Sequence, residues 1–164
     1  MPAIPTPQRH MNPKYAFQYC QKIVLLSKDG KQLLLAKRKG EADYDGVYSC
    51  IGGKMEITDK SFLDGLKREK DEEIGAGAKI KVYPLSTYNF LYTKKDGNKM
   101  VLPYHLAYFV GGLIELNTNE YSDYKWIPIE SLESFEPKIP NDVDALKWAL
   151  EISKTVADND FIEI

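Results

Sequence analysis

The chain has 164 residues, 43% of them hydrophobic and 28% charged, which suits one domain with a sizeable core and excludes an intrinsically disordered polymer. A formal net charge of −2 argues against a nucleic-acid partner, although a local site can still take a small anion. No uninterrupted apolar run approaches the ~20 residues of a membrane span, so no membrane partner is expected and the default compartment is the cytoplasm. The two cysteines, Cys20 and Cys50, match no zinc or redox spacing and read as free thiols in a reducing compartment.

Residues 1–14, rich in proline and without an apolar leader core, read as a flexible N-terminal arm. A single domain is expected over 15–158, followed by a C-terminal tail at 159–164. Lys22 to Leu26 and Gln32 to Ala36 are apolar, β-favouring runs around Asp29-Gly30, which predicts a hairpin. Ser61 to Ile74 reads as a helix, with Ser61 and Asp64 in a capping-box pattern and Gly75 as the stop. Asp96-Gly97 predicts a second hairpin between Tyr88–Tyr92 and the run Leu102 to Leu116, where Gly111-Gly112 marks a bulge or strand end. A short strand and turn are expected over Ile127 to Leu132. Asp142 to Val156 reads as a second helix with Val143, Leu146, Ala149, Leu150 and Ser153 on one face. Strands with two interspersed helices define an α+β class, with helices packed on a mixed β-sheet.

The chemistry concentrates in Gly52-Gly53-Lys54-Met55-Glu56 and in Arg68-Glu69-Lys70-Asp71-Glu72-Glu73-Ile74-Gly75. At about 100° per residue, Glu69, Glu72 and Glu73 fall within a narrow arc of one helix. Carboxylates crowded this way repel one another, and a hard divalent cation removes that cost. The apolar stripe Leu63, Leu66 and Ile74 lies beside this face, so the carboxylates belong at the border of the core. Arg68 can hold a carboxylate through a bidentate contact. A solvated charge run is the common explanation for such a helix. The string R-E-x-x-E-E-x-G, however, arises by composition only about once per million start positions.

Gly53 to Ala76 resembles the signature of the Nudix hydrolases, G-x5-E-x7-R-E-U-x-E-E-x-G-U with U aliphatic. Gly53, Arg68, Glu69, Glu72, Glu73 and Gly75 match it. The surroundings are similar too: a strand ending in Lys37-Arg38, the double glycine, and Trp126-Ile127-Pro128. Three positions depart from the pattern. Asp59 stands where the first signature glutamate belongs, with Glu56 as its rival, and eight residues rather than seven separate Asp59 from Arg68. Lys70 occupies an aliphatic position, where its stem can lie along apolar surface with the ammonium in water. Ala76 is a small substitute at the last aliphatic position.

The resemblance implies a Nudix-like α/β/α sandwich and hydrolysis of a phosphoanhydride bond in a nucleoside diphosphate linked to another group. The substrate would be a small nucleotide. Glu69, Glu72 and Glu73, with the carbonyl near Gly53, would hold Mg2+, with Mn2+ as the alternative ion. Arg68, Glu72 and Glu73 then count among the catalytic residues, and the metal would neutralise the diphosphate and polarise phosphorus. Family members often draw a general base from a loop before the Trp-bearing strand, where Glu120 sits, with Glu115 as runner-up. Arg38 is a candidate phosphate donor and Tyr92 a candidate substrate contact. Cys50 and His105 read as structural residues. Two rivals remain: a nucleotide-binding sensor without turnover, and an isopentenyl diphosphate isomerase, which the intact acidic motif disfavours. Among assemblies, the homodimer is the commonest default.

Overall fold

The structure, a computed structural model, describes residues 12–164. Most of the expected N-terminal arm therefore lies outside the described residues; its end, Pro13–Tyr15, forms a 3-10 turn with Asn12 as N-cap. The elements in order are β1 (Phe17–Leu26), β2 (Gln32–Arg38), β3 (Tyr48–Ser49), β4 (Ile51–Lys54), α1 (Phe62–Ile74), β5 (Lys79–Val82), β6 (Tyr88–Thr93), β7 (Lys99–Gly111), β8 (Tyr121–Pro128), α2 (Asn141–Ser153) and β9 (Ile162–Glu163).

β1 and β7 run parallel at the centre, and every other strand pairing is antiparallel. Side-chain alternation along these strands feeds two separate cores. Val24, Leu26, Leu33, Leu35, Leu102 and Leu106 pack beneath Ala145, Leu146 and Ala149 of α2. Ile23, Leu25, Leu34, Ile51 and Ala107 pack beneath Leu66 and Ile74 of α1. A helix on each face of a mixed sheet makes the α/β/α sandwich.

Both predicted hairpins form, since β1 meets β2 at Leu26 and Leu33 and β6 runs antiparallel to β7. Ser61 caps α1 by accepting from the Asp64 N–H at 3.0 Å, and Gly75 ends it. β7 stops at Gly111, so the run beyond it is loop.

Other boundaries moved. The strand expected from Ile127 begins at Tyr121, because residues from Tyr121 onward pair with β2 as far as Arg38. α2 ends at Ser153, and its buried face is Asp142, Ala145, Leu146 and Ala149; the two alanines let it lie close to the sheet. The expected tail at 159–164 instead extends the sheet: Ile162 and Glu163 pair with β5, and the Phe161 ring packs on Tyr83 and Tyr108. Lys70 was expected to keep its ammonium in water and is fully buried. Its Nζ donates to the Ala78 carbonyl at 2.8 Å, which the α1–β5 turn supplies, and pairs with Asp71 of α1 itself.

Cys20 and Cys50 are free and buried, and so is His105, whose burial pushes its pKa down to about 4. Among the described residues no helix is long and apolar enough to cross a membrane.

Candidate active site

Two glycines let the acidic helix meet the sheet. β4 is pressed so closely against β1 that a Cβ on Gly52 would lie 2.0 Å from the Gln21 carbonyl, and Gly52 adopts a φ of +142°. At Gly53 the space a Cβ would need is filled by the Glu69 carboxylate, 1.9 Å away at Oε2. The glycine pair therefore serves as the floor on which the glutamates of α1 rest.

Glu69, Glu72 and Glu73 all line one cavity of about 590 Å³. Their environments differ. Glu73 is buried and accepts the Gly52 N–H at 2.6 Å; burial pushes its pKa up to about 8, while Lys22, that N–H and the Tyr121 hydroxyl pull it back. Glu69 is also buried, which raises its pKa against the pull of Arg68. Glu72 is more than half exposed.

Arg68 sits behind these carboxylates and does not line the cavity. It holds Asp59 bidentately, donates to Glu69 at 2.8 Å and to the Lys54 carbonyl at 3.0 Å, and approaches Glu72 at 3.3 Å. Its hydrogen bond holds the Asp59 carboxyl down at about 2. Glu56 reaches Arg68 only at 3.7 Å and is exposed, so Asp59 is the residue that meets the arginine.

The other candidates divide. Arg38 lines the cavity and pairs with Glu41 at 3.3 Å, while its Nε is buried without a partner. Glu120 is an exposed residue of the cavity lining. Glu115 does not line the cavity; its Cβ lies against Gly75. Tyr92 lines the cavity, but its hydroxyl is committed to Asp43, and burial with that bond pushes its pKa up to about 12.

Sequence reading missed the inner end of the cavity, where Lys22 and Tyr104 from the central strands meet Asn141 at the start of α2. Asp142 is buried behind them, accepting the Cys50 N–H and the Tyr104 hydroxyl, each at 2.9 Å. The available signals were a lysine opening the apolar run of β1 and an acid in the first turn of α2.

Among the described residues no three metal-ligating side chains converge on one point. The reason is visible: Arg68 lies between Glu69 and Glu72, and Glu73 turns to the Gly52 N–H. The donor chemistry nonetheless fits a hard divalent cation. The set is all oxygen, the glycine floor leaves Glu69 room, and burial holds two of the three carboxyls above their usual range, against the pull of Arg68 and Lys22.

A mixed sheet between two helices with this acidic cavity defines a Nudix hydrolase, a pyrophosphohydrolase class: the NUDIX domain family matches residues 19–149, and the chain belongs to that family. A CTP pyrophosphohydrolase from Escherichia coli (strain K12) is 29% identical over 126 residues, 75% of this chain and 84% of that protein. The NUDIX domain of Shewanella oneidensis NrtR, solved in complex with ADP ribose, aligns with a TM-score of 0.68 at 19% identity, covering 88% of this chain and 94% of that one. A MutT NUDIX hydrolase from Burkholderia pseudomallei aligns with a TM-score of 0.64 at 21% identity, covering 79% and 95%. At these identities the two structures speak for the fold alone.

Proposed function

We propose that this protein is a divalent-metal-dependent hydrolase that cleaves a phosphoanhydride bond in a nucleoside diphosphate linked to another group. The observation that carries this reading is the grouping of Glu69, Glu72 and Glu73 on one cavity wall, two of them buried with raised pKa values. Those three residues, with the Gly53 carbonyl, would hold Mg2+ or Mn2+. The bound ion would neutralise the diphosphate and polarise the attacked phosphorus.

The protein's own groups do the rest by positioning. Arg68 fixes Glu69 against the loop and acts through it rather than on substrate, a narrower role than the catalytic one the signature implied. Arg38 is the wall cation suited to a charge-assisted bond with a phosphate oxygen. Glu120, exposed in the cavity lining, is the candidate general base for the attacking water. Tyr92 contributes its ring as a side wall for the substrate, its hydroxyl being occupied.

The similarity to a CTP pyrophosphohydrolase makes CTP the first substrate to test, with ADP ribose beside it. Purified protein with Mg2+ and a panel of these and other nucleotide diphosphate derivatives should give metal-dependent turnover. Glu72→Gln and Glu73→Gln should each lower kcat by about 100-fold or more, the scale of losing one preorganised electrostatic group. No turnover across the panel, with tight nucleotide binding retained, would establish a sensor instead.

A further inference from the structure

Lys22 is a cation in the buried part of β1, where every other buried side chain except Gln21 is apolar. It is 7% exposed, stands beside Gly52 of β4 and Tyr104 of β7, and lines the inner end of the cavity. Its one hydrogen bond is long, 3.5 Å to the Cys50 carbonyl. Among the described residues it forms no ion pair. The acids whose charges it influences, Glu73 and Asp142, direct carboxylate oxygens to the Gly52 and Cys50 N–H groups and to the Tyr104 hydroxyl.

An ammonium carries three donors and no acceptor, and a buried charge without partners is costly. Lys22 therefore has donors to spare at the cavity surface. Its surroundings decide what they meet. Met100, Leu102 and Ile139 give this end apolar walls suited to a flat uncharged ring. Asn141 donates to the Tyr104 hydroxyl, which leaves its amide oxygen uncommitted among the described residues. The inner chamber thus pairs a strong donor with an acceptor.

We propose that Lys22 is a specificity-determining residue whose ammonium donates to a ring carbonyl of the nucleobase, so that the site prefers cytosine, uracil or guanine nucleotides to adenine ones. This rests on the hydrolase reading, which puts the phosphates at the metal-holding glutamates and leaves the apolar wall beside Lys22, Tyr104 and Asn141 to the base. Adenine carries no carbonyl oxygen; its acceptors are ring nitrogens recessed at the ring edge, where a carbonyl oxygen projects outward to meet the ammonium.

The test is equilibrium binding of CMP, UMP, GMP, AMP and ribose 5-phosphate, without metal, to wild type, Lys22→Met and Lys22→Gln. Wild type should favour the three carbonyl-bearing nucleotides over AMP. Lys22→Met should weaken those three by tenfold or more and leave AMP and ribose 5-phosphate within twofold. Lys22→Gln keeps a donor and should recover part of the loss; it also supplies a second variant should Lys22→Met fold poorly. Uniform weakening of all five ligands would assign Lys22 to the phosphate and overturn the proposal, as would unchanged binding. Because turnover is not measured, loss of the hydrolase reading alone would leave these affinities intact. A wild type that shows no preference among the nucleotides, or binds none, would overturn the Lys22 proposal, while metal-dependent turnover still decides the hydrolase reading.

Discussion

Arg68 grips Asp59 side-on, its Nε donating to Oδ1 at 2.8 Å and its Nη2 to Oδ2 at 2.9 Å. The same aspartate accepts the Glu56 N–H at 2.8 Å, so it ties the loop before α1 to the helix. A shorter acid than the signature glutamate, on a loop one residue longer, still reaches the arginine.

Asp59→Ala should release both the loop and Arg68 and let Glu69 shift. A misplacement of about 1 Å near a reacting centre lowers rate on the order of 100-fold, so kcat/KM should fall by one to two orders of magnitude. Asp59→Asn adds a pH signature. The folded carboxyl is held at about 2, below the unfolded value near 4. Its contribution to stability is therefore present above pH 4 and lost as pH falls through 2. Thermal melts of wild type and Asp59→Asn should differ at pH 7, draw together below pH 4 and converge only as pH falls through about 2.

Gly53→Ala should act on catalysis before stability. Its methyl would meet the flexible end of Glu69 rather than backbone. Metal affinity and kcat should drop at least tenfold with a small change in Tm. Gly52→Ala should do the reverse: its methyl meets the Gln21 and Lys22 backbone at a φ of +142°. Strain of this kind costs on the order of 1–3 kcal/mol, plus the displacement of β4. Parallel melting and kinetic measurements separate the two variants.

Glu73 should give metal-free protein a pH-dependent stability. Burial raises its folded pKa to about 8, above an unfolded value near 4.3. The neutral form is favoured in the folded state, so its stabilisation is full below about pH 4 and lost as pH rises through 8. Metal-free Glu73→Gln should gain in Tm relative to wild type between pH 5 and 8; a constant difference would contradict the assignment. Magnesium binding at pH 6.5 should release a proton, read by calorimetry in buffers of different ionisation enthalpy.

Lys70 should tolerate an apolar replacement of its own length better than truncation. Lys70→Met fills the same space but leaves Asp71 and the Ala78 carbonyl without the ammonium, so it should destabilise through the lost partner alone. Lys70→Ala leaves a cavity as well as an unpaired carbonyl and should cost about 2–4 kcal/mol. Denaturant unfolding of the two variants tests the difference.

What was legible in the sequence was local. Asp29-Gly30 and Asp96-Gly97 announced their hairpins because a tight turn selects its residues within four positions. Ser61 and Gly75 bounded α1 because a helix end must satisfy its own backbone groups nearby. The spacing of Glu69, Glu72 and Glu73 put three carboxylates on one helical face, and with Arg68 and the double glycine it pointed to the Nudix family.

Partners distant in sequence were settled by closure of the sheet. The parallel pairing of β1 with β7 brings Lys22 beside Tyr104, and packing of α2 brings Asn141 and Asp142 to the same place. No periodicity within any one segment encodes that meeting. The Lys70 ammonium was expected in water because its acceptor, the Ala78 carbonyl, becomes available only when the α1–β5 turn folds back. The last residues looked like a tail because Ile162 and Glu163 become a strand only against β5. The sequence alone determined the turns, the helix ends and the acidic motif, whose hydrogen bonds and spacings span a few residues. Tertiary structure decided which charges are buried and what faces them, because burial depends on neighbours that local rules do not specify.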